Sequence, residues 1–315
     1  MGNGGMWNCC RRVWQPSNSN GGGSMGYLYL FISLISGATK GLFGKKVSTL
    51  VTGTRGAAAT NLLRMVLCTF ISILLLLTGI EKASLVPDGP AILIGIFAGI
   101  FLSMFTITWL LAVQKGAFVL ISVAQMFGVV VTLVCSVLVF GTKPAPLQYL
   151  GIGLLVAAVL VMGSYSKKLK GGLSAIAIVL LVLCGVSSGL YDFTLKLFTT
   201  YSASSKSMLN LLTYLVSAVI LGGMVLLPQK GGEKVQIPWK KIFLPIALMS
   251  VCLFLNSYFK AFSTQYIPDA QLYPIYQAGG LILSTLIGAV FFREKVTVRC
   301  VIGLVLAFGA ILLLK

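Results

Sequence analysis

The chain has 315 residues, of which 57% are hydrophobic and only 10% are charged. This apolar content exceeds what a soluble domain of this length needs for its core, so we predict a polytopic membrane protein. A formal net charge of +18 would suggest a nucleic-acid partner in a soluble chain. Here the lysines and arginines fall in short loops and at the ends of apolar runs, so the lipid bilayer, through its anionic headgroups, is the predicted partner.

The first 24 residues differ in composition from the rest of the chain. They fit neither a secretory signal nor a myristoylation motif. The sequence GGGS at 21–24 matches the translation of a purine-rich bacterial ribosome-binding site, and Met25 follows it directly. We interpret residues 1–24 as a mis-assigned extension with translation starting at Met25. A disordered tail that is palmitoylated at Cys9 and Cys10 is the alternative.

Ten apolar runs follow. A bilayer core about 30 Å thick needs about 20 apolar residues in a helix, and each run approaches or exceeds that length. The runs cover residues 27–43, 57–80, 91–113, 118–140, 147–165, 173–198, 208–227, 242–262, 270–292 and 298–314. We therefore predict an all-α integral membrane protein with ten transmembrane helices.

The second half of the chain repeats the pattern of the first half. A shift of 152 positions (277 − 125) places Gln277 on Gln125 and Phe292 on Phe140 without a gap. Each copy holds five runs, an odd number, so the second copy must enter the membrane from the opposite side. We predict two inverted five-helix repeats, residues 25–166 and 167–315. In transporters built this way, the substrate site lies near the midplane between the repeats.

Small and polar residues recur at helical spacing in the first and sixth runs. The two stripes are Ser33, Ser36, Gly37, Lys40 and Gly44 in the first run and Gly185, Ser188, Gly189, Asp192 and Lys196 in the sixth. We predict that the stripes face each other, with Lys40 and Asp192 at matching depth. Asp192 also lies four residues before Lys196 on one helical face. These charges either contact a substrate or proton, or form an ion pair through which the helices pack.

The eighth and ninth runs carry further polar side chains. Asn256 and Lys260 lie four residues apart on one helical face. An amide or ammonium group that faced lipid would cost a few kcal/mol, so we place Asn256, Lys260 and Gln277 at a cavity. The glutamines could instead bond neighbouring helices, and Tyr273 could lie in an interfacial belt. The candidate substrate-pathway residues are Lys40, Gln125, Asp192, Lys196, Asn256, Tyr258, Lys260, Gln271, Tyr273, Tyr276 and Gln277.

The residue inventory argues against catalysis. The chain has no histidine and six acidic residues, and its seven cysteines show no metal-binding spacing. A metal site or a histidine-based triad is therefore not expected. We predict no enzyme activity, no catalytic residues and no cofactor.

Several motifs make the chain similar to the EamA-type branch of the drug/metabolite transporter superfamily over residues 25–315. The resemblance rests on the ten runs in two copies, on GLFGK at 41–45, on Arg64 early in the second run, and on F-x-E followed nine residues later by glycine at 292–303. Thr142 departs from the pattern, because the first copy would be expected to have a glutamate there. The resemblance implies a cavity lined by the first four helices of each half, with the fifth and tenth helices peripheral.

We predict a secondary transporter that moves a small organic metabolite by alternating access, as a multi-pass protein of the bacterial plasma membrane. A non-transporting structural or sensory membrane protein is the alternative, although it would not explain the mirrored polar stripes. Lys40, Lys196 and Lys260 outnumber the mid-run acid Asp192, which favours an anionic or zwitterionic substrate. We expect Lys260→Ala to abolish flux with near-normal stability, because Lys260 is the predicted counter-ion. Asp192→Asn should instead lower stability.

The loop charges and the family resemblance predict opposite orientations. Lysines and arginines concentrate in the loops after odd-numbered runs, which would place both termini outside. The resemblance implies both termini in the cytoplasm, and we expect this arrangement. Cysteines introduced at Lys168 and Lys234 in a cysteine-free background should then react with an impermeant thiol reagent added to intact cells. Labelling of these sites only after permeabilisation would place the termini outside.

Overall fold

The computed structural model describes residues 22–79, 86–115, 118–141, 145–163, 175–227, 237–293 and 298–314. In these ranges the regular structure is helical. The helices are α1 (Gly22–Ser48), α2 (Gly53–Leu77), α3 (Gly89–Lys115), α4 (Phe118–Phe140), α5 (Pro146–Gly163), α6 (Ala175–Tyr201), α7 (Lys206–Leu226), α8 (Trp239–Tyr266), α9 (Asp269–Phe292) and α10 (Val298–Leu314). The prediction of an all-helical protein is confirmed for the described part of the chain.

Seven of these helices are long and apolar enough to cross a membrane, namely α1, α2, α3, α6, α7, α8 and α9. Shorter apolar helical segments lie in α4, α5 and α10. Large apolar side chains such as Phe31, Phe70 and Leu138 are exposed on the outside of the bundle. A continuous apolar exterior of this kind is what a bilayer requires.

The helix boundaries follow the predicted runs, and several helices, such as α1, extend beyond them. α4 and α10 begin and end where the apolar runs do. α1 starts at Gly22 and continues to Ser48, through Lys45 and Lys46 in its last turn. Hydropathy marks only the part of a helix that suits hydrocarbon, whereas backbone hydrogen bonding continues through polar residues, so the runs under-predict such ends.

Some sequence features lie outside the described residues. They are residues 1–21 of the predicted extension, the turns that contain Thr142 and Glu294, and the predicted join near residue 166. Only the last three residues of the extension are described, and they form the start of α1.

The helix contacts pair the two halves of the chain in a mirrored pattern. α1 packs against α8, and the corresponding α6 packs against α3. In the same way α4 packs against α6, and α9 packs against α1. Corresponding helices also meet directly, as the pairs α2 with α7, α4 with α9, and α5 with α10. The two halves are therefore interlocked rather than placed side by side.

Glycine brings the backbones of α4 and α6 into contact. A Cβ atom on Gly128 would lie 2.6 Å from the carbonyl oxygen of Gly185, and one on Gly189 would overlap the carbonyl oxygen of Gly128. The Thr132 hydroxyl donates a hydrogen bond of 2.8 Å to the carbonyl oxygen of Gly189. Small residues at such crossings let helices approach closely, so Gly185 and Gly189 serve packing here.

Candidate functional site

The central feature of the bundle is a cavity between helices of both halves. Side chains or backbone of α1, α3, α4, α6, α8 and α9 line it, and its volume is about 80 Å³. A cavity of this size holds a few water molecules. Lining residues lie in the C-terminal halves of α1, α3 and α9, such as Gly41, Trp109 and Ser284. The cavity therefore extends toward the end of the bundle where these three helices finish.

Most of the predicted pathway residues meet at this cavity. Those that line it are Lys40, Gln125, Asp192, Asn256, Lys260, Tyr276 and Gln277. Residues of both predicted stripes are among the lining, including Gly37 and Ser188. As the family resemblance implied, α5 and α10 contribute none of the described lining residues. The described lining also contains no residue of α2 or α7, although the resemblance placed those helices at the cavity.

The other predicted pathway residues are not among the described residues that line the cavity. Tyr258 belongs to an aromatic cluster, 5.5 Å from the Phe254 ring and 5.0 Å from the Phe262 ring, measured between centroids. Tyr273 is fully buried and is not an interfacial aromatic. Gln271 lies in the first turn of α9, away from the described lining.

A buried ion pair between α6 and α8 stands at the centre of the cavity wall. The Lys260 Nζ donates to Asp192 Oδ1 at 2.8 Å, and both side chains are at most 5% exposed. The same ammonium group lies 4.0 Å from the centroid of the Tyr276 ring, which favours a cation over its face. The Tyr273 hydroxyl donates to the backbone oxygen of Asp192 at 2.7 Å. Lys260 is thus neutralised within the protein.

This pairing corrects the sequence-based assignment. Asp192 was expected to be held by Lys40 and Lys196, leaving Lys260 free for a substrate. Sequence spacing shows neighbours on one helix, and the repeat shift shows equivalent positions, but neither gives the contact between α6 and α8. The expectation that Lys260→Ala leaves stability unchanged is therefore no longer supported, because this substitution would remove the ion-pair partner of Asp192.

Asn256 ties three helices together beside the ion pair. Its Nδ2 donates to the Ser33 carbonyl oxygen of α1 at 2.7 Å and to the Tyr276 hydroxyl of α9 at 2.6 Å. The Ser33 hydroxyl donates back to the backbone carbonyl oxygen of Asn256 at 2.8 Å. Gly37 makes room for this arrangement, because a Cβ atom there would lie 2.8 Å from both the amide nitrogen and the hydroxyl.

A second ion pair lies at the end of the bundle where α9 begins. The Lys196 Nζ lies 3.2 Å from Asp269 Oδ1, and the Ser136 hydroxyl donates to the other carboxylate oxygen at 3.2 Å. Nearby, the Phe140 and Tyr201 rings stack with centroids 6.1 Å apart. These contacts join α4, α6 and α9 at that end. Sequence analysis missed Asp269, which lies just before the predicted run at 270–292.

Hydrogen bonds attach the loop between α6 and α7 to Asp88 at the same end of the bundle. The hydroxyls of Ser204 and Ser202 both donate to Asp88 Oδ1, the latter at 2.7 Å, and the Ala203 amide donates to the other oxygen at 3.3 Å. These bonds favour the charged carboxylate and hold the pKa of Asp88 below its usual value. The residue before α3 is thereby attached to the turn that begins the second half's α7.

The lining residues outside the candidate set include the polar residues Tyr191 and Ser284. The Tyr191 hydroxyl donates to the Ser257 hydroxyl at 2.9 Å, which adds a bond between α6 and α8. Ser284 lies seven residues after Gln277 in α9. Helical spacing from Ser188 and from Gln277 could have identified both residues.

The site offers no described metal centre. Within the described ranges, no group of three or more histidine, cysteine, aspartate or glutamate side chains could hold a metal ion. The arrangement provides a polar, charged and partly aromatic lining inside an apolar helix bundle. Intramembrane charges of this kind mark substrate and ion pathways.

Two protein families match parts of the chain. Residues 24–164 match the EamA-like transporter family, and residues 237–307 match the Small Multidrug Resistance protein family. Together with the apolar helices, these matches identify a multi-pass membrane transporter. The first match confirms the resemblance to EamA-type transporters that the sequence motifs predicted.

One solved structure with a similar fold is named only "Crystal structure of protein". The match covers 93% of this chain and 98% of the other, with a TM-score of 0.69 and 15% sequence identity. At this identity the likeness shows a shared fold alone. No curated protein matches the chain.

Proposed function

We propose that this protein is a secondary transporter of a small organic solute in the bacterial plasma membrane. It works by alternating access, with ten transmembrane helices arranged as two inverted five-helix repeats. The solute binds in the central cavity between the repeats. The observation that carries the proposal is this cavity, because charged and polar residues from both halves line it in the middle of an apolar bundle.

The mirrored helix contacts support the inverted repeat. The contact of α1 with α8 recurs as the contact of α6 with α3. The contact of α4 with α6 recurs as the contact of α9 with α1. An odd number of helices in each repeat would then invert the second copy in the membrane. In such transporters one repeat or bundle rocks against the other around a fixed site.

The two ends of the bundle differ, which supports alternating access. The Lys196 to Asp269 ion pair and the bonds to Asp88 join helix ends on one side. The cavity extends toward the other side, where Gly41, Trp109 and Ser284 lie. Opening the joined end and closing the other would expose the same residues to the opposite compartment.

Cavity size and charge constrain the solute. Pockets that hold drug-sized ligands measure about 300–1,000 Å³, whereas this cavity measures about 80 Å³. A solute must therefore widen the cavity when it enters, or be very small. Lys40 and Lys260 line the cavity together with the acid Asp192, so the lining has an excess of positive charge that favours an anionic or zwitterionic solute.

Flux through purified protein tests the proposal. Proteoliposomes containing the full chain are loaded with a bacterial small-metabolite extract, and mass spectrometry follows which solutes leave. We expect one chemical group of solutes to leave faster than from protein-free liposomes, with rates that saturate. Equal loss from both preparations, with correctly folded protein, would favour the structural or sensory alternative.

A further inference from the structure

Arg64 of α2 is a buried cation with incomplete bonding. Its side chain is 3% exposed, and its Nη1 donates only a long bond of 3.7 Å to the sulfur of Met249. The Nε has no hydrogen-bond partner. No described carboxylate pairs with Arg64. A guanidinium stays charged in proteins and carries five donors, so leaving it unpaired inside an apolar bundle is costly.

Lys40, which is half-buried and lines the central cavity, is a second cation with incomplete bonding. Among the described residues it pairs with no carboxylate, and its Nζ lies 5.8 Å from the centroid of the Phe105 ring. Asp192, the acid of the cavity, already bonds Lys260 at 2.8 Å. The Lys260 to Asp192 pair is neutral as a unit and leaves the Lys40 charge uncompensated.

Lys40 and Arg64 meet at one small pocket. Both line a space of about 10 Å³ at the edge of the central cavity, and Phe105 and Trp109 line both spaces. Because both side chains line this small space, positive charges on them repel each other. Two neighbouring cationic side chains without a carboxylate partner among the described residues give this corner an excess of positive charge, which an anion would balance.

We propose that Lys40 and Arg64 form an anion-binding subsite, which takes a phosphate or carboxylate group of the transported solute. The inference rests on the proposed transport function and names the class of its solute. The planar guanidinium matches the two oxygens of such a group, and the ammonium adds a point charge. Because the space is small, the Phe105 and Trp109 rings must move aside when the anion enters.

The subsite makes a prediction that distinguishes it from a structural role. If a cation serves only helix packing, its removal lowers the stability of the protein. If the cation instead binds an anion, it repels the neighbouring cation while no anion is bound, and its removal relieves that repulsion. We expect Lys40→Met and Arg64→Met to have thermal midpoints in anion-poor buffer that equal or exceed the wild-type value.

The test uses the full chain in lipid nanodiscs, titrated with sodium phosphate or sodium acetate against sodium chloride at equal ionic strength. Ligands that bind the folded state raise the thermal midpoint. We expect phosphate, acetate or both to raise the wild-type midpoint more than chloride does. Lys40→Met and Arg64→Met should weaken the apparent affinity about tenfold or more, by loss of a charge-assisted bond. The matched control Lys46→Met, which removes an exposed cation of α1, should behave as wild type.

Three results would overturn the subsite. The first is a chloride effect as large as that of the oxyanions, which would mean a simple counter-ion. The second is an oxyanion effect that persists in both variants. The third is the absence of any anion effect in the wild type. If the flux assay still shows saturable solute movement in these cases, the transporter proposal stands and only the anion subsite fails.

Discussion

Replacing Lys260 with methionine should lower the free energy of unfolding by about 3–5 kcal/mol, because it leaves the Asp192 carboxylate buried without its partner. The carboxylate is bonded to the ammonium group at 2.8 Å, and both side chains are almost fully buried. Reversible unfolding of the purified protein in mixed micelles measures the change. Asp192→Asn should also destabilise, since it leaves the Lys260 ammonium group uncompensated.

A double variant separates the ion pair from other effects of the substitution. Replacing both partners, as Lys260→Met with Asp192→Leu, removes both buried charges and should recover most of the lost stability. The matched control is Lys241→Met, which removes an exposed cation from the same helix. If the double variant is as unstable as Lys260→Met alone, the ion pair does not account for the loss.

Gly189→Leu should prevent α4 from packing on α6. Even a Cβ atom at this position would overlap the carbonyl oxygen of Gly128. Backbone cannot move aside as a flexible side chain can, so we expect a loss of about 3 kcal/mol or more, or no folded protein at all. Expression level and the thermal midpoint in detergent measure the effect.

The control for this substitution is Gly153→Leu in α5. No heavy atom lies within 4 Å of a Cβ atom placed on Gly153, so this change should alter stability by less than about 0.5 kcal/mol. A Gly189→Leu protein with the wild-type thermal midpoint would contradict the close contact between the two helix backbones.

The sequence predicts the helices well, because apolar runs and helices are set by the same local residues. The run at 118–140 coincides with α4, and the run at 298–314 coincides with α10. The ends of α1 were missed, since polar residues such as Lys45 continue a helix beyond the hydrocarbon region. Mirrored polar stripes also led to residues that line the cavity, including Lys40 and Asp192.

The partners of the charged groups could not be predicted in the same way. Lys260 meets Asp192, and Lys196 meets Asp269, across contacts between different helices. A contact between helices depends on rotation and depth, which a single sequence does not specify. Arg64 illustrates the point, because the sequence marks it only as a family feature. Its missing partners become visible once α2 is packed against α8.

The most direct test of the central claim is whether solute passes through the cavity between the two halves. Gly280 lines the cavity, and a Cβ atom there would have no heavy atom within 4 Å, so Gly280→Cys should fold normally. In a cysteine-free background, its modification by a methanethiosulfonate reagent should block solute flux in proteoliposomes, and the transported solute should slow the modification. Lys46→Cys, at the exposed polar end of α1, should be modified without effect on flux. Full flux through protein that is completely modified at position 280 would contradict the account.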